Sequence, residues 1–182
     1  RAAMALPAIA GKFGQYGGGV FAKVGAAFPK TAAKLQRTDW IPQGTRTLNI
    51  LDIPQHILDE NMDPPVRGLV IYNHNPLATH PDQHRMRAAL EHPDLFTVGI
   101  DIAMTDSMDY ADVVLPACGP FEIADIYGAY GQQYLQRAEP VIPPVGEALP
   151  NTEIFRRLAK GFGFDDPAFT ATDAQLIDDA VD

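Results

Sequence analysis

Three short apolar runs stand out along the chain, each closed by a polar loop or a proline. Val66-Arg-Gly-Leu-Val-Ile-Tyr72 lies between Pro65 and a polar stretch, Leu95-Phe-Thr-Val-Gly-Ile100 stops at Asp101, and Val113-Val-Leu115 is closed by Pro116. Runs of this length, rich in β-branched and aliphatic residues, predict strands buried on both faces of a sheet. Between them the pattern turns helical. Pro81 fits the first turn of a helix through Arg87 to about Glu91, with Pro93 beyond its end, and Thr105 is placed to cap a short helix over 106–111. The order strand, helix, strand, helix, strand requires right-handed crossovers and hence parallel pairing. The fold class expected is α/β: a Rossmann-like, doubly wound, mostly parallel sheet with helices on both faces.

The flanking segments are less periodic. Arg1 to Ile9 is alanine-rich and helix-competent, whereas Gly14-Gln-Tyr-Gly-Gly-Gly19 is too glycine-rich for helix or strand and reads as a loop. Residues 20–50 are expected to be irregular, and Ile53 to Glu60, with Pro54 near its start, to form one short helix. From Gly119 to Pro150 the chain is expected to be irregular, with Tyr127, Tyr130 and Tyr134 as half-buried packing residues. Asn151 or Thr152 is positioned to cap a helix that ends at Gly161 or Gly163, and Thr172 to cap a last helix to about Val181. The division expected is a lead-in segment, 1–60, and an α/β subdomain, 61–182.

Charge narrows the partners. Residues 1–100 carry 10 Lys/Arg and 8 Asp/Glu, whereas 101–182 carry 4 and 15. An acidic half without clustered cations is a poor surface for a phosphate backbone, so nucleic acid and anionic membrane are not expected as partners. No apolar run approaches the ~20 residues needed to span a bilayer, and a cytoplasmic setting is the expectation. The single cysteine, Cys118, can make neither an internal disulfide nor a Cys-x-x-Cys metal site.

In an open parallel sheet, ligands bind beyond the carboxyl ends of the strands. Here those ends are Asn73-His-Asn-Pro-Leu-Ala-Thr79, Asp101 and Pro116-Ala-Cys-Gly119. A carboxylate at the end of the second strand suits a ribose or a base, because it accepts two hydrogen bonds at once; its competing role is a helix cap or turn. The glycine fingerprint of a nicotinamide site is absent from residues 73–79. His80 and His84, four apart with His74 nearby, invite a metal reading, but a solvated helix start fits them better. Cys118 has no local signature of a nucleophile.

Thr105-Asp-Ser-Met-Asp-Tyr-Ala-Asp-Val-Val-Leu-Pro116 resembles a segment of the molybdopterin oxidoreductases of the dimethyl sulfoxide reductase and formate dehydrogenase type. Glu122, the 127–136 stretch, Pro144-x-Gly-Glu-Ala148 and the helix from Ile154 to Ala159 continue it. Tyr72-Asn-His-Asn-Pro76 and Pro81-Asp-Gln-His-Arg85 match what precedes it, and Gly14 to Pro29 is similar to a glycine-rich loop near the molybdopterin. The resemblance implies one of the subdomains that cradle a bis(molybdopterin guanine dinucleotide) molybdenum cofactor. It implies contacts from the loop Asn73, His74, Asn75 and Pro76, with Asn75 foremost. Ile100 and Asp101 would meet the guanosine end, and Asn151 stands where some members place an Asp. Some members have a cofactor-binding lysine after the glutamate matching Glu122; here Ile123 stands there.

The iron–sulfur cysteines, the segment bearing the molybdenum ligand and the carboxy-terminal barrel of such enzymes have no counterpart in these residues. The resemblance therefore implies a piece of a longer enzyme, inactive alone, whose partners are the remaining domains and the cofactor, with an iron–sulfur cluster in an amino-terminal part. The reading that competes with it is a non-catalytic nucleotide-binding α/β module of a thiamine- or transhydrogenase-type enzyme.

Overall fold

The computed structural model describes residues 2–20, 36–128 and 134–181. Tyr130, and the 21–35 portion of the stretches read as irregular or glycine-rich, lie outside the described residues. In chain order the elements are α1 (Ala2–Ile9), α2 (Ile53–Leu58), β1 (Gly68–Tyr72), the single turn α3 (Pro76–Thr79), α4 (Gln83–Leu90), β2 (Phe96–Asp101), β3 (Val113–Pro116), β4 (Asp125–Gly128), β5 (Leu135–Ala138), α5 (Asn151–Phe162) and α6 (Asp173–Val181). Among the described residues no helix is long and apolar enough to cross a membrane.

The three apolar runs form one parallel sheet in the order β1-β2-β3, with Val70 opposite Val98 and Ile100 opposite Leu115. The α/β expectation and the parallel pairing hold. Strand order runs in one direction through these three strands. Leu149 adds a single parallel bridge beside Ala117: its N–H donates to the Pro116 carbonyl at 3.1 Å, and the Cys118 N–H donates to the Leu149 carbonyl at 3.0 Å. That bridge delivers the first turn of α5 to the edge where β1, β2 and β3 end.

Helices pack on both faces. Ile71, with Leu69 beside it, meets Leu77 of α3, Met86 and Leu90 of α4 and Met108 from the β2–β3 connection. A neighbouring cluster joins α2 to α4 through Ile57, Ala89 and Leu95. On the opposite face Ile100 and Ala117 meet Ile154, with Val98, Leu115 and Leu158 around them. The expectation that β1 is buried on both faces is overturned, since Val70 is 59% and Tyr72 44% exposed; in β2, Phe96 is 54% exposed. Helix α5 covers the β2–β3 side of that face and reaches β1 through the edge contact of Phe155 with Tyr72, ring centroids 5.2 Å apart.

Local chemistry shifts several predicted boundaries. Helix α4 begins at Gln83, not Pro81, because Asp82 adopts a left-handed φ of 61° and its carboxylate accepts from the Arg85 N–H at 3.1 Å. The polar loop after β1 contains the turn α3, started by Pro76. Thr105 accepts the Met108 N–H through its backbone carbonyl, and a single 3₁₀ turn, Met108–Tyr110, replaces the predicted helix. Neither Asn151 nor Thr152 caps α5; Pro150 takes that position, and its carbonyl accepts from Ile154. Gly163, with a φ of 76°, ends the helix. Thr172 caps α6 as expected, exchanging hydrogen bonds with Gln175, and Arg156 ties α5 to α6 through Asp173 at 2.7 Å. The 119–150 region contains an antiparallel hairpin, β4 with β5, so its description as irregular is corrected. Tyr127 lies in that hairpin, and Tyr134 is 76% exposed rather than half-buried.

Gly99 sits where β2 crosses directly over Met108. A Cβ there would collide with the Met108 Sδ, and Met108, only 1% exposed, has nowhere to retreat. Gly99→Ala is expected to cost about 1–3 kcal/mol, as overpacked cores do. Combining it with Met108→Ala should give a loss smaller than the sum of the two single losses, read from denaturant midpoints.

Candidate functional site

The parallel register brings the carboxyl ends of β1, β2 and β3 to one edge. Beyond β1, Asn73 takes a left-handed φ of 48° and donates its N–H to the Ile100 carbonyl at 2.9 Å; beyond β2, the Ala117 N–H donates to the Asp101 carbonyl at 3.0 Å. A cleft of about 410 Å³ opens along this edge, and Asn73, His74, Asn75, Asp101 and Asn151 all line it. Five of the seven residues named from the sequence thus converge there from three separate segments: the loop after β1, the last residue of β2 and the first residue of α5. The other two, Pro76 and Ile100, are buried directly behind: Pro76 starts α3 and Ile100 is fully enclosed in the core.

The cleft is rich in acceptors. Asp101 uses Oδ1 to accept the Ile102 N–H at 2.7 Å, a local turn contact that does not tie the carboxylate to the opposite edge of the sheet. Asn151, released from capping, leaves its buried Oδ1 without a hydrogen-bond partner. Asp125 also lines the cleft, and among the described residues no Lys or Arg does. A second cavity of about 310 Å³ shares Ile123, Asp125 and Asn151 with the cleft, so that the concave surface continues between α6 and the hairpin.

Sequence reading missed the residue that organises the first loop. Ser107 is completely buried; its hydroxyl donates to Asn75 Oδ1 at 2.6 Å and accepts the Leu77 N–H at 3.0 Å. With Oδ1 committed, Asn75 has Nδ2 left to offer, and that group lies 3.5 Å from Asp106 Oδ2. A serine inside the 105–116 segment was visible, but nothing local showed that it would meet a loop thirty residues upstream. Glu122 also acts structurally: its carboxylate accepts from the Gly119 and Val145 N–H groups and holds those two loops together.

Cys118 is buried, and burial followed by the nearby Glu122 charge pushes its thiol pKa up, the reverse of what a nucleophile needs. The histidines differ from expectation. His80 is not a solvated helix start; it turns inward, 9% exposed, and its Nε2 lies 2.8 Å from that of His74, while His84 stays exposed. Among the described residues no three His, Cys, Asp or Glu side chains are grouped to hold a metal.

Comparison with known proteins decides the family. The family model described as molybdopterin oxidoreductase matches residues 1–161. The chain belongs to that family. It is 39% identical over 178 residues to the probable oxidoreductase YoaE of Bacillus subtilis, covering 97% of this chain and 26% of that protein. It is 33% identical over 102 residues to a trimethylamine-N-oxide reductase of Vibrio vulnificus, covering 55% of this chain and 12% of that enzyme. Among solved structures, the acetylene hydratase of Pelobacter acetylenicus aligns with a TM-score of 0.62 at 25% identity, over 74% of this chain and 18% of that one. The chain therefore spans about a quarter of the length of the first of these relatives. Membership in this molybdopterin family sets aside the thiamine- or transhydrogenase-type alternative.

Two outcomes test the site's construction. Ser107→Ala strands the Leu77 N–H and Asn75 Oδ1, and should lower stability by about 1–3 kcal/mol while accelerating hydrogen exchange at Leu77. At His80, burial and the neighbouring His74 ring hold the pKa below its ordinary value. The unfolded chain takes up that proton first, so stability is complete above about pH 6.5 and falls as pH drops towards the folded-state pKa. Thermal midpoints from pH 7.5 to 5 should show that loss, and His80→Gln should remove part of its slope.

Proposed function

We propose that this chain is a cofactor-cradling part of a molybdenum-dependent oxidoreductase, and that its strand-end cleft holds the guanosine end of a bis(molybdopterin guanine dinucleotide) molybdenum cofactor. The observation that carries the reading is the convergence of Asn73, His74, Asn75, Asp101 and Asn151 on one cleft. The donor and acceptor balance fits the group. A guanine edge and a ribose present N–H and O–H donors, and the cleft offers the Asp101 carboxylate and the orphaned, buried Oδ1 of Asn151 as acceptors. The adjoining cavity lets an elongated dinucleotide continue past Asn151.

In this reading Asp101 accepts from ribose or guanine, Asn75 donates through Nδ2, and Asn151 accepts through Oδ1. Pro76 and Ile100 shape the wall behind them. Ile123 takes the place of a lysine, so cofactor charge is neutralised from other parts of the enzyme. Those parts also supply the strands that complete a doubly wound sheet, an iron–sulfur cluster and the molybdenum ligand. Residues 1–60 serve as the lead-in to the subdomain of 61–182, and the chain alone has no turnover. When bound, the molybdenum centre supplies the redox chemistry; this chain binds and orients.

The test is Asp101→Ala in the full-length enzyme. A hydrogen bond to a charged group contributes about 1.5–3 kcal/mol, so molybdenum content per folded protein should fall by at least tenfold under limiting cofactor, with the denaturant midpoint little changed. Unchanged molybdenum with a lowered midpoint would return Asp101 to a turn-capping role.

A further inference from the structure

The loop between β1 and α4 holds a pair of side chains whose chemistry the cofactor contacts leave unused. His74 and His80 face each other through Nε2 atoms 2.8 Å apart, with ring centroids separated by 4.8 Å. Both ends of the loop are fixed. Asn73 is anchored on the Ile100 carbonyl, and the His80 N–H donates to the Pro76 carbonyl at 2.9 Å. A contact of this kind needs one protonated and one bare nitrogen.

Burial decides which is which. His80 Nδ1 is enclosed and has no hydrogen-bond partner. If His80 accepted the bond, its own proton would sit on Nδ1 as a buried, unpaired donor. If His80 donates, Nδ1 is a bare lone pair, the better tolerated of the two defects. His80 therefore donates through Nε2–H, His74 accepts through Nε2, and the His74 proton must reside on Nδ1. His74 lines the cofactor cleft as well as the apolar cavity behind it, so Nδ1 is the nitrogen it has left for a ligand.

We propose that His80 is a positioning residue that fixes His74 as its Nδ1–H tautomer, an uncharged hydrogen-bond donor to a ligand oxygen in the cleft. This rests on the cofactor reading above and extends it: within an acceptor-rich lining, the pair supplies a donor that carries no charge. The surroundings of the pair bear on its protonation. On the cleft side the titratable groups of the lining are Asp101, Asp125, Cys118 and Tyr127. On the far side, among the described residues, Tyr72 is the one titratable group besides the pair itself, beside Leu48, Ile50 and Ile53. A charged pair would hold a proton on both Nδ1 atoms besides the shared one, placing an unpaired N–H and a cation in that apolar wall. The wall opposes this, in keeping with the depressed pKa of His80.

The tautomers can be read directly. In the 182-residue chain labelled with ¹⁵N-histidine, long-range ¹H–¹⁵N spectra at pH 7 should show His74 protonated at Nδ1 and His80 at Nε2. His80→Gln, whose amide can still donate, should leave His74 as the Nδ1–H form, whereas His80→Leu should release it to the Nε2–H form that free imidazole prefers. GDP, used as the probe for the nucleotide end, should shift the His74 Nδ1 signal and bind about tenfold more weakly to His80→Leu than to His80→Gln. An Nε2–H tautomer at His74, with GDP bound, would overturn the pair's role and leave the cofactor reading intact. GDP binding that leaves His74 unshifted would overturn the donor role. Failure of GDP to bind at all, with the tautomers as stated, would overturn the donor role together with the nucleotide reading.

Discussion

Parallel strands cannot be joined by a tight turn, and everything at the candidate site follows from that constraint. Each crossover must carry the chain back to the starting edge of the sheet, so β1, β2 and β3 all finish on the same side. Their terminal loops have no choice but to crowd together. Register sharpens the effect: Tyr72 pairs with Ile100 and Asp101 with Pro116, which sets Asn73 beside the end of β2 and Ala117 beside Asp101. The one-residue bridge at Leu149 continues the same logic into a fourth position and brings Asn151 within reach of residues fifty to eighty positions earlier.

Crowding alone would give a tangle of competing polar groups. Order comes from a few buried polar atoms with narrowly defined partners. Ser107 spans the β1–α4 loop and the β2–β3 connection with two hydrogen bonds in a fully buried setting, where a missing partner is costly. Asp112 works the same way at the opposite edge of the sheet: its carboxylate accepts the Thr97 N–H at 2.7 Å at the start of β2, while its own N–H donates to the Thr97 carbonyl at 2.9 Å. Ser107 and Asp112 both belong to the stretch between β2 and β3. Its job is thus to lock neighbours, leaving Asp101 and Asn151 to face the cleft.

The sequence was most legible where a single period dominates. The three strands, the helix through Arg87 and the cap at Thr172 could be located because burial or a local hydrogen bond alone determines them. It was least legible where a distant partner decides. Nothing near Ser107 announces Asn75, and nothing near His80 announces that it turns inward to meet His74 rather than sharing a helix face with His84. The pairing of β4 with β5 escaped because the glycine- and tyrosine-rich sequence there carries no hydrophobic period. The bare side of β1 escaped because a run of aliphatic residues looks the same whether one covering layer is present or two. Of the site itself, the residue types at the strand ends were readable; the release of Asn151 from capping, which leaves Oδ1 unpartnered, was not.

The left-handed backbone at Asn73 and Asp82 also bears on how this loop can change over evolutionary time. At φ values of 48° and 61°, glycine, asparagine and aspartate are the residues that sit with least strain. Both ends of the β1–α4 connection are therefore restricted to the same small alphabet before any ligand is considered. An alignment showing invariant Asn or Asp at these two positions would record the geometry of turning the chain, and ligand selection would be visible only at neighbours with ordinary backbone angles, such as Asn75 and Asp101.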